Sequence, residues 1–195
     1  VNRSNPDSLL SVRDFRRILT GEVKDWKEIY PDSRLNEIQV VFDNKNSSTV
    51  RFAIDSICDG KALATGNVSA LETNLQVIDY VAKTPDAIGV IGVNWLGNRK
   101  DTTNLSFIEE IRVMAVSAED VATVANSYKP FQAYLYYGNY PLARPIYALL
   151  NDPRGGLPWG FASFMTFDKG QRIIFKSGLL PATQLTRTVN VKTSN

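Results

Sequence analysis

Val40-Val41-Phe42-Asp43-Asn44-Lys45-Asn46-Ser47-Ser48-Thr49 carries an apolar strand into a hydroxyl-rich turn that opens a helix. Ser47 suits an N-cap, and Val50, Ala53, Ile54, Ile57 and Cys58 recur at the spacing of one buried helical face. The first free N–H groups of such a helix, the positive end of its dipole and the hydroxyls of Ser47, Ser48 and Thr49 would converge on one small volume. That volume suits a tetrahedral oxyanion. A plain serine cap on a surface helix is the alternative reading of the same residues.

Composition narrows the remaining choices. The chain has 195 residues, 44% of them hydrophobic, which is enough for one large domain or two small ones. Its 22 basic and 20 acidic residues give a formal charge of +2, with no concentrated basic face for nucleic acid. Arg13, Arg16 and Arg17 are interrupted by Asp14 and Phe15 and read as a solvated helix face. The sequence has no histidine, which removes the commonest general base, the Ser-His-Asp and Cys-His arrangements and the commonest metal ligand. Cys58, the single cysteine, falls on the apolar face of its helix and reads as a small buried hydrophobe. No apolar run approaches the roughly 18 residues of a membrane-spanning helix, so no direct membrane insertion is expected. The sequence opens at Val1 without Met, signal peptide or lipid-attachment cysteine. The expectation is a trimmed addressing segment or an excised part of a longer protein.

Strand-like and helix-like segments alternate, which predicts an α/β fold. Residues 11–19 read as a helix with Val12, Phe15, Ile18 and Leu19 inward and Gly21 near its end. Residues 38–42 read as a buried strand. Ser69 and Glu72 are expected to form a capping box for a helix carrying Leu71, Leu75, Ile78 and Val81, stopped before Pro85. Residues 87–93 read as an apolar strand whose Gly89 and Gly92 mark close backbone approach or a bulge. Residues 111–116 read as a further strand, and Ser117 with Asp120 starts a short helix through Ala125. The tyrosines of 128–140 suit either packing at an edge or a stacking surface. Residues 143–150 read as a strand, followed by a turn at 151–156 whose glycine pair lacks dinucleotide or P-loop spacing. Phe161, Phe164 and Met165, then Ile173, Ile174 and Phe175, give two short apolar-faced helices. Asp168 and Gln171 form the expected capping box of the second helix, and Gly178 its stop. The tail from Thr183 reads as an edge strand or a frayed end.

Five motifs together resemble a known family. Leu19-Thr20-Gly21-Glu22-Val23-Lys24-Asp25-Trp26-Lys27-Glu28-Ile29 resembles the "tGk(i/v)xxWxeI" helix exit of phosphate ABC transporter substrate-binding proteins. Ser47-Ser48-Thr49 falls where that family has its "GSGT" phosphate loop. Pro85-Asp86-Ala87-Ile88-Gly89-Val90 resembles its "PgAIGY" strand, and Tyr140-Pro141-Leu142-Ala143-Arg144-Pro145-Ile146-Tyr147 its "YPlxRPlY" return strand. Phe164, Gly170-Gln171 and Gly178-Leu179-Leu180-Pro181 resemble its closing motif.

The resemblance implies a periplasmic binding protein-like lobe with a mixed β-sheet flanked by helices, and an incomplete first lobe. Residues 1–142 would be the second, ligand-binding lobe. Residues 143–195 would be the return strand and C-terminal helices belonging to the first lobe. It implies a binding component and not an enzyme, with no cofactor or metal. Its ligand would be inorganic phosphate or a similar oxyanion held by Ser47, Ser48 and Thr49. Its partner would be the membrane permease of an ABC transporter, and its location periplasmic or extracytoplasmic, with any lipid anchor on a segment absent here. The family often has an arginine shortly before the loop where this chain has Asp43, and Asn46 and Ser48 replace loop glycines. Asp43 must then turn away from an anion or accept a hydrogen bond from a protonated ligand oxygen. Lys45 and Arg51 are the nearby residues able to restore positive charge. The competing expectation is a degenerate scaffold, serving as an interaction or sensing module, with residues 128–140 as its contact surface. A hydrolase using Ser47 fits poorly, because no histidine is there to activate it.

Overall fold

The computed structural model describes residues 1–183 except 99, 102, 104, 152 and 153. The chain forms two compact units, Val1–Arg144 and Pro145–Asn195. In the first, β1 (Leu9–Ser11) leads into α1 (Val12–Leu19), and β2 (Gln39–Phe42) into α2 (Ser48–Phe52). Then follow β3 (Val68–Ala70), α3 (Asn74–Lys83), β4 (Ala87–Val90), β5 (Ala115–Ser117), β6 (Ser127–Tyr128) and α4 (Gln132–Tyr136). The second unit holds α5 (Leu157–Thr166) and α6 (Asp168–Lys176).

β2 is the middle of a parallel three-stranded sheet in the order β3-β2-β4. Successive side chains of a strand point to opposite faces, and here both faces are covered. Val40 and Phe42 enter a cluster with Ile18, Leu19, Trp26, Ile57 and Ile88, whereas Val41 enters a second with Val77, Val81 and Ala87. A two-sided environment of this kind demands the continuous apolar run seen in the sequence. The second sheet, β1-β5-β6, pairs β1 with β5 in parallel and β5 with β6 antiparallel.

α1 forms as its spacing predicts. Ser11 caps it by accepting from the Asp14 N–H at 2.9 Å, and Phe15, Ile18 and Leu19 are buried. The three arginines do more than face solvent. Arg13 pairs with Asp120 at 3.3 Å, Arg16 with Asp59 at 2.8 Å and Arg17 with Asp14 at 2.9 Å. Trp26 is fully buried, and its indole N–H donates to the Asp86 carbonyl at 3.0 Å, tying the helix exit to the start of β4. The Tyr30 hydroxyl donates to the Leu9 carbonyl, and burial pushes its pKa up to about 12.

Gly89 sits opposite Val41 in the β2/β4 register, on the face covered by α3. A Cβ there would lie 2.8 Å from a Val81 methyl and 2.9 Å from a Val77 methyl. The glycine is therefore the close approach expected of it, set by helix packing on a strand.

Several expectations shift. α3 is capped by Thr73 with Gln76, whose side-chain oxygen also accepts from the Glu72 N–H at 3.0 Å, so Ser69 and Glu72 form no capping box. Ser69 lies in β3, where pairing with β2 takes its backbone, and the buried face is Val77 and Val81 while Leu75 is exposed. The strand expected at 111–116 is confined to Ala115–Ser117, with Ile111 in an isolated bridge to Asn2. No helix follows Ser117. Asn126 instead takes up the loop, its amide group donating to Glu119 and to the Val121 carbonyl, both at 2.9 Å, and its side-chain oxygen accepting from the Thr123 N–H at 2.7 Å.

The strand expected at 143–150 is irregular and exposed, with Leu149 at 94% accessibility, since no neighbouring strand pairs with it among the described residues. α5 and α6 form, but Phe161, Phe167 and Ile173 stay exposed. Asp168 pairs with Arg172 at 2.9 Å, and Gln171 is buried, its amide donating to the Met165 carbonyl at 2.6 Å, so the expected capping box is absent. Gly170 packs so closely on α5 that a Cβ would fall 2.6 Å from the Met165 Cα. The turn expected at 151–156 lies partly, and the tail beyond Thr183 wholly, outside the described residues.

Gly89→Ala is expected to destabilise the first unit by about 1–3 kcal/mol through overpacking, read as a lower urea midpoint. The Tyr30 phenol titrates higher in the fold than in the unfolded chain. Its stabilising contribution is thus complete below about pH 10 and declines as pH rises toward about 12. Tyr30→Phe should flatten that alkaline decline in denaturation midpoints, and an unchanged slope would contradict it.

Candidate functional site

The turn after β2 is built by side chains bonding to local backbone, as its composition favours. Asn44 organises it: its side-chain oxygen accepts from the Asn46 N–H at 2.8 Å, and its carbonyl accepts from the Ser47 N–H at 3.0 Å. Ser47 is in extended conformation (φ −72°, ψ 157°), and its hydroxyl oxygen accepts from the Val50 N–H at 3.3 Å. α2 runs only from Ser48 to Phe52 before widening into a π-turn at Ala53–Ile57, where the Cys58 N–H reaches the Ala53 carbonyl at 2.9 Å. Arg16 holds the far end of this turn. Its Nε donates to the Ile57 carbonyl while its guanidinium pairs with Asp59. Cys58 is fully buried, and burial pushes its thiol pKa up, as befits an inert small hydrophobe.

The predicted residues divide into two sets. Thr49 donates its hydroxyl to Asp43 Oδ1 at 2.5 Å, and the Ser47 and Thr49 hydroxyl oxygens are 2.6 Å apart. Thr49 has one hydroxyl proton and gives it to Asp43, so Ser47 must be the donor to Thr49. A chain of hydrogen bonds thus runs from Ser47 through the buried Thr49 to the Asp43 carboxylate. Of the three hydroxyls, only that of the exposed Ser48 remains outward, so they do not converge on a ligand volume as the sequence suggested. Lys45 is also exposed. Arg51 pairs along its own helix with Asp55 at 3.4 Å, both side chains largely in solvent, where such a pair is weak. The remaining donors at this turn are the Ser48 hydroxyl and the first N–H groups of α2, which lack partners within the helix.

Sequence reasoning missed Asn44 as the organiser of the turn and Arg16 as the clamp on the helix end. The Asn-x-Asn-Ser run was a signal for the first; the second required the fold. The 128–140 aromatics pack on one another: Tyr128 meets Tyr134 edge-on at 5.0 Å, while Tyr136 and Tyr137 remain exposed. Among the described residues, no group of three His, Cys, Asp or Glu side chains is placed to hold a metal ion. No described helix is long and apolar enough to cross a membrane.

Strands of both sheets feeding helices, with a hydroxyl turn at the end of a buried parallel strand, define a binding protein-like α/β lobe. Residues 1–169 match the family model of the PBP superfamily domain, and the chain belongs to that family. The phosphate-binding protein PstS of Staphylococcus saprophyticus is 26% identical over 166 residues, covering 83% of this chain and 47% of that protein. PstS of Bacillus subtilis is 25% identical over 196 residues, covering 97% of this chain and 58% of the relative. The chain thus spans about half the length of these relatives. A Clostridium perfringens protein crystallised with bound phosphate superposes with a TM-score of 0.70 at 19% identity, covering 94% of this chain and 67% of that one. An ABC-type phosphate transport receptor from Vibrio cholerae superposes at 0.63 with 18% identity, covering 92% and 66%. The fold is periplasmic binding protein-like, as the five motifs led one to expect.

Thr49→Val should cost roughly 1–3 kcal/mol by leaving Asp43 and Ser47 without their shared partner. Ser48→Ala, at an exposed position, should stay within about 0.5 kcal/mol of the parent. Urea unfolding of both variants checks the division; equal losses would refute it.

Proposed function

We propose that this chain is the oxyanion-binding part of a phosphate receptor serving an ABC transporter. The observation that carries the reading is the Ser47-capped turn at the end of β2, in a chain similar to phosphate-binding proteins along most of its length. Phosphate would sit at the Ser48 hydroxyl and the first N–H groups of α2. Ser47 and Thr49 would hold the turn in shape, and Asp43 would accept the proton of a protonated phosphate oxygen. Lys45 and Arg51 would add a diffuse positive potential, screened at physiological salt. The work is capture and delivery to a membrane permease outside the cytoplasm, with no bond made or broken.

The same reading assigns residues 1–142 to the second lobe and 143–195 to the first. The exposed apolar residues of the second unit support that assignment. Leu149, Leu157, Phe161 and Phe167 are too exposed to form a core of their own. Strands of a first lobe would cover them.

Magnitudes set what the chain does alone. Two or three charge-assisted hydrogen bonds contribute about 3–9 kcal/mol gross, and association costs about 4 kcal/mol or more. The remainder corresponds to about millimolar affinity at best. Calorimetry of this chain with phosphate is expected to show millimolar or weaker binding, and micromolar binding would overturn the donor accounting. In a form long enough to bind tightly, Asp43→Asn should lose the preference for phosphate over sulfate. An unchanged ratio would remove Asp43 from that role.

A further inference from the structure

Away from the hydroxyl turn, one face of the first unit gathers cations around aromatic rings. Arg3, Arg112 and Lys129 line a surface cleft of about 400 Å³ with Phe107, Phe131 and Glu109. Arg3 precedes β1, residues 107–112 lead toward β5, and Lys129 follows β6, so the β1-β5-β6 sheet brings together three stretches distant in sequence. The cleft belongs to the fold and not to one loop.

Its charges are unbalanced. Arg112 is anchored, its guanidinium donating to the Asn5 carbonyl at 2.6 Å and its backbone N–H to the Val1 carbonyl at 2.9 Å. Arg3 donates to the Glu109 carbonyl at 3.1 Å, but its contact with the Glu109 carboxylate is 4.0 Å between side chains 70% and 82% exposed, a weak pair. No carboxylate partners Lys129 among the described residues. Three cations therefore face one carboxylate, which leaves two positive charges beside Phe107 and Phe131, whose rings stack at 4.8 Å.

We propose that this cleft docks an acidic peptide segment of a partner protein. The peptide's carboxylates would meet Arg3, Arg112 and Lys129, and an apolar side chain would lie against Phe131 and Phe107. Small-molecule sites enclose most of their ligand between mainly apolar walls. This cleft is open and largely polar, so a chain can enter and leave at its ends. Arginine beside aromatic rings, flanked by exposed charge, is the composition of a protein contact.

The test is fluorescence anisotropy of the 195-residue chain with a dye-labelled Asp-Glu-Phe-Glu-Asp peptide and its Lys-Lys-Phe-Lys-Lys counterpart. The acidic peptide should bind, more weakly as salt rises, and the basic one should not. Combined Arg3→Glu and Lys129→Glu, exposed changes whose fold circular dichroism verifies, should weaken binding at least about tenfold, and Lys129→Gln alone should weaken it less. Millimolar phosphate and Ser48→Ala should leave it unchanged. Equal binding of the basic peptide, an unaffected double variant, competition by phosphate, or preference for a single-stranded oligonucleotide over the acidic peptide would each overturn the proposal.

Discussion

The alternation of β2 between two cores is the constraint on which the first unit depends. Val40 and Phe42 point to the α1 side and Val41 to the α3 side, and all three are almost completely removed from water. Fully burying side chains of this size contributes roughly 1.5–3 kcal/mol each. A one-residue slip of β2 would exchange these residues between unlike environments. With β2 fixed in register, the strand's end is fixed too, and Asp43 through Ser47 must turn at one defined place. The position of the hydroxyl turn is thus a consequence of core packing.

The turn itself is a compromise between binding and self-satisfaction. A short loop carrying three hydroxyls has more polar groups than its backbone can expose freely, and two of the three are consumed in joining Ser47, Thr49 and Asp43. Such a chain of bonds rigidifies the loop, because each member depends on its neighbour for its only good partner. Stiffness comes at the expense of donors offered outward, and a carboxylate at its end makes the site discriminating toward anions. Partial charge from α2 is also limited by its five-residue length before the π-turn.

Much of this was legible in the chain. The β2 run, α1 with its Ser11 cap, the buried Cys58 and the close approach at Gly89 follow from pattern alone, because local preference and tertiary demand agree there. The failures share a different cause. Residues 143–150 have a strand's composition but no strand beside them, and a strand is a pairwise object that composition cannot supply. Ser69 and Thr73 both begin plausible capping boxes, and pairing of Ser69 with Val41 decided between them. In the site, sequence identified the right residues but not the direction of their protons, which depends on where Asp43 turns.

The π-turn at Ala53–Ile57 gives this helix an unequal tolerance to changes in length. A π-turn is an α-helix holding one surplus residue per turn, so loss of one residue there lets the backbone relax into the regular form. The surviving side chains would nevertheless rotate about the axis by about 100°, carrying Ile57 and Cys58 off the core face and the Ile57 carbonyl out of reach of Arg16. Homologues with a shorter version of this helix would need compensating changes at those three positions, so the surplus residue is a mark by which lineages of this lobe can be told apart.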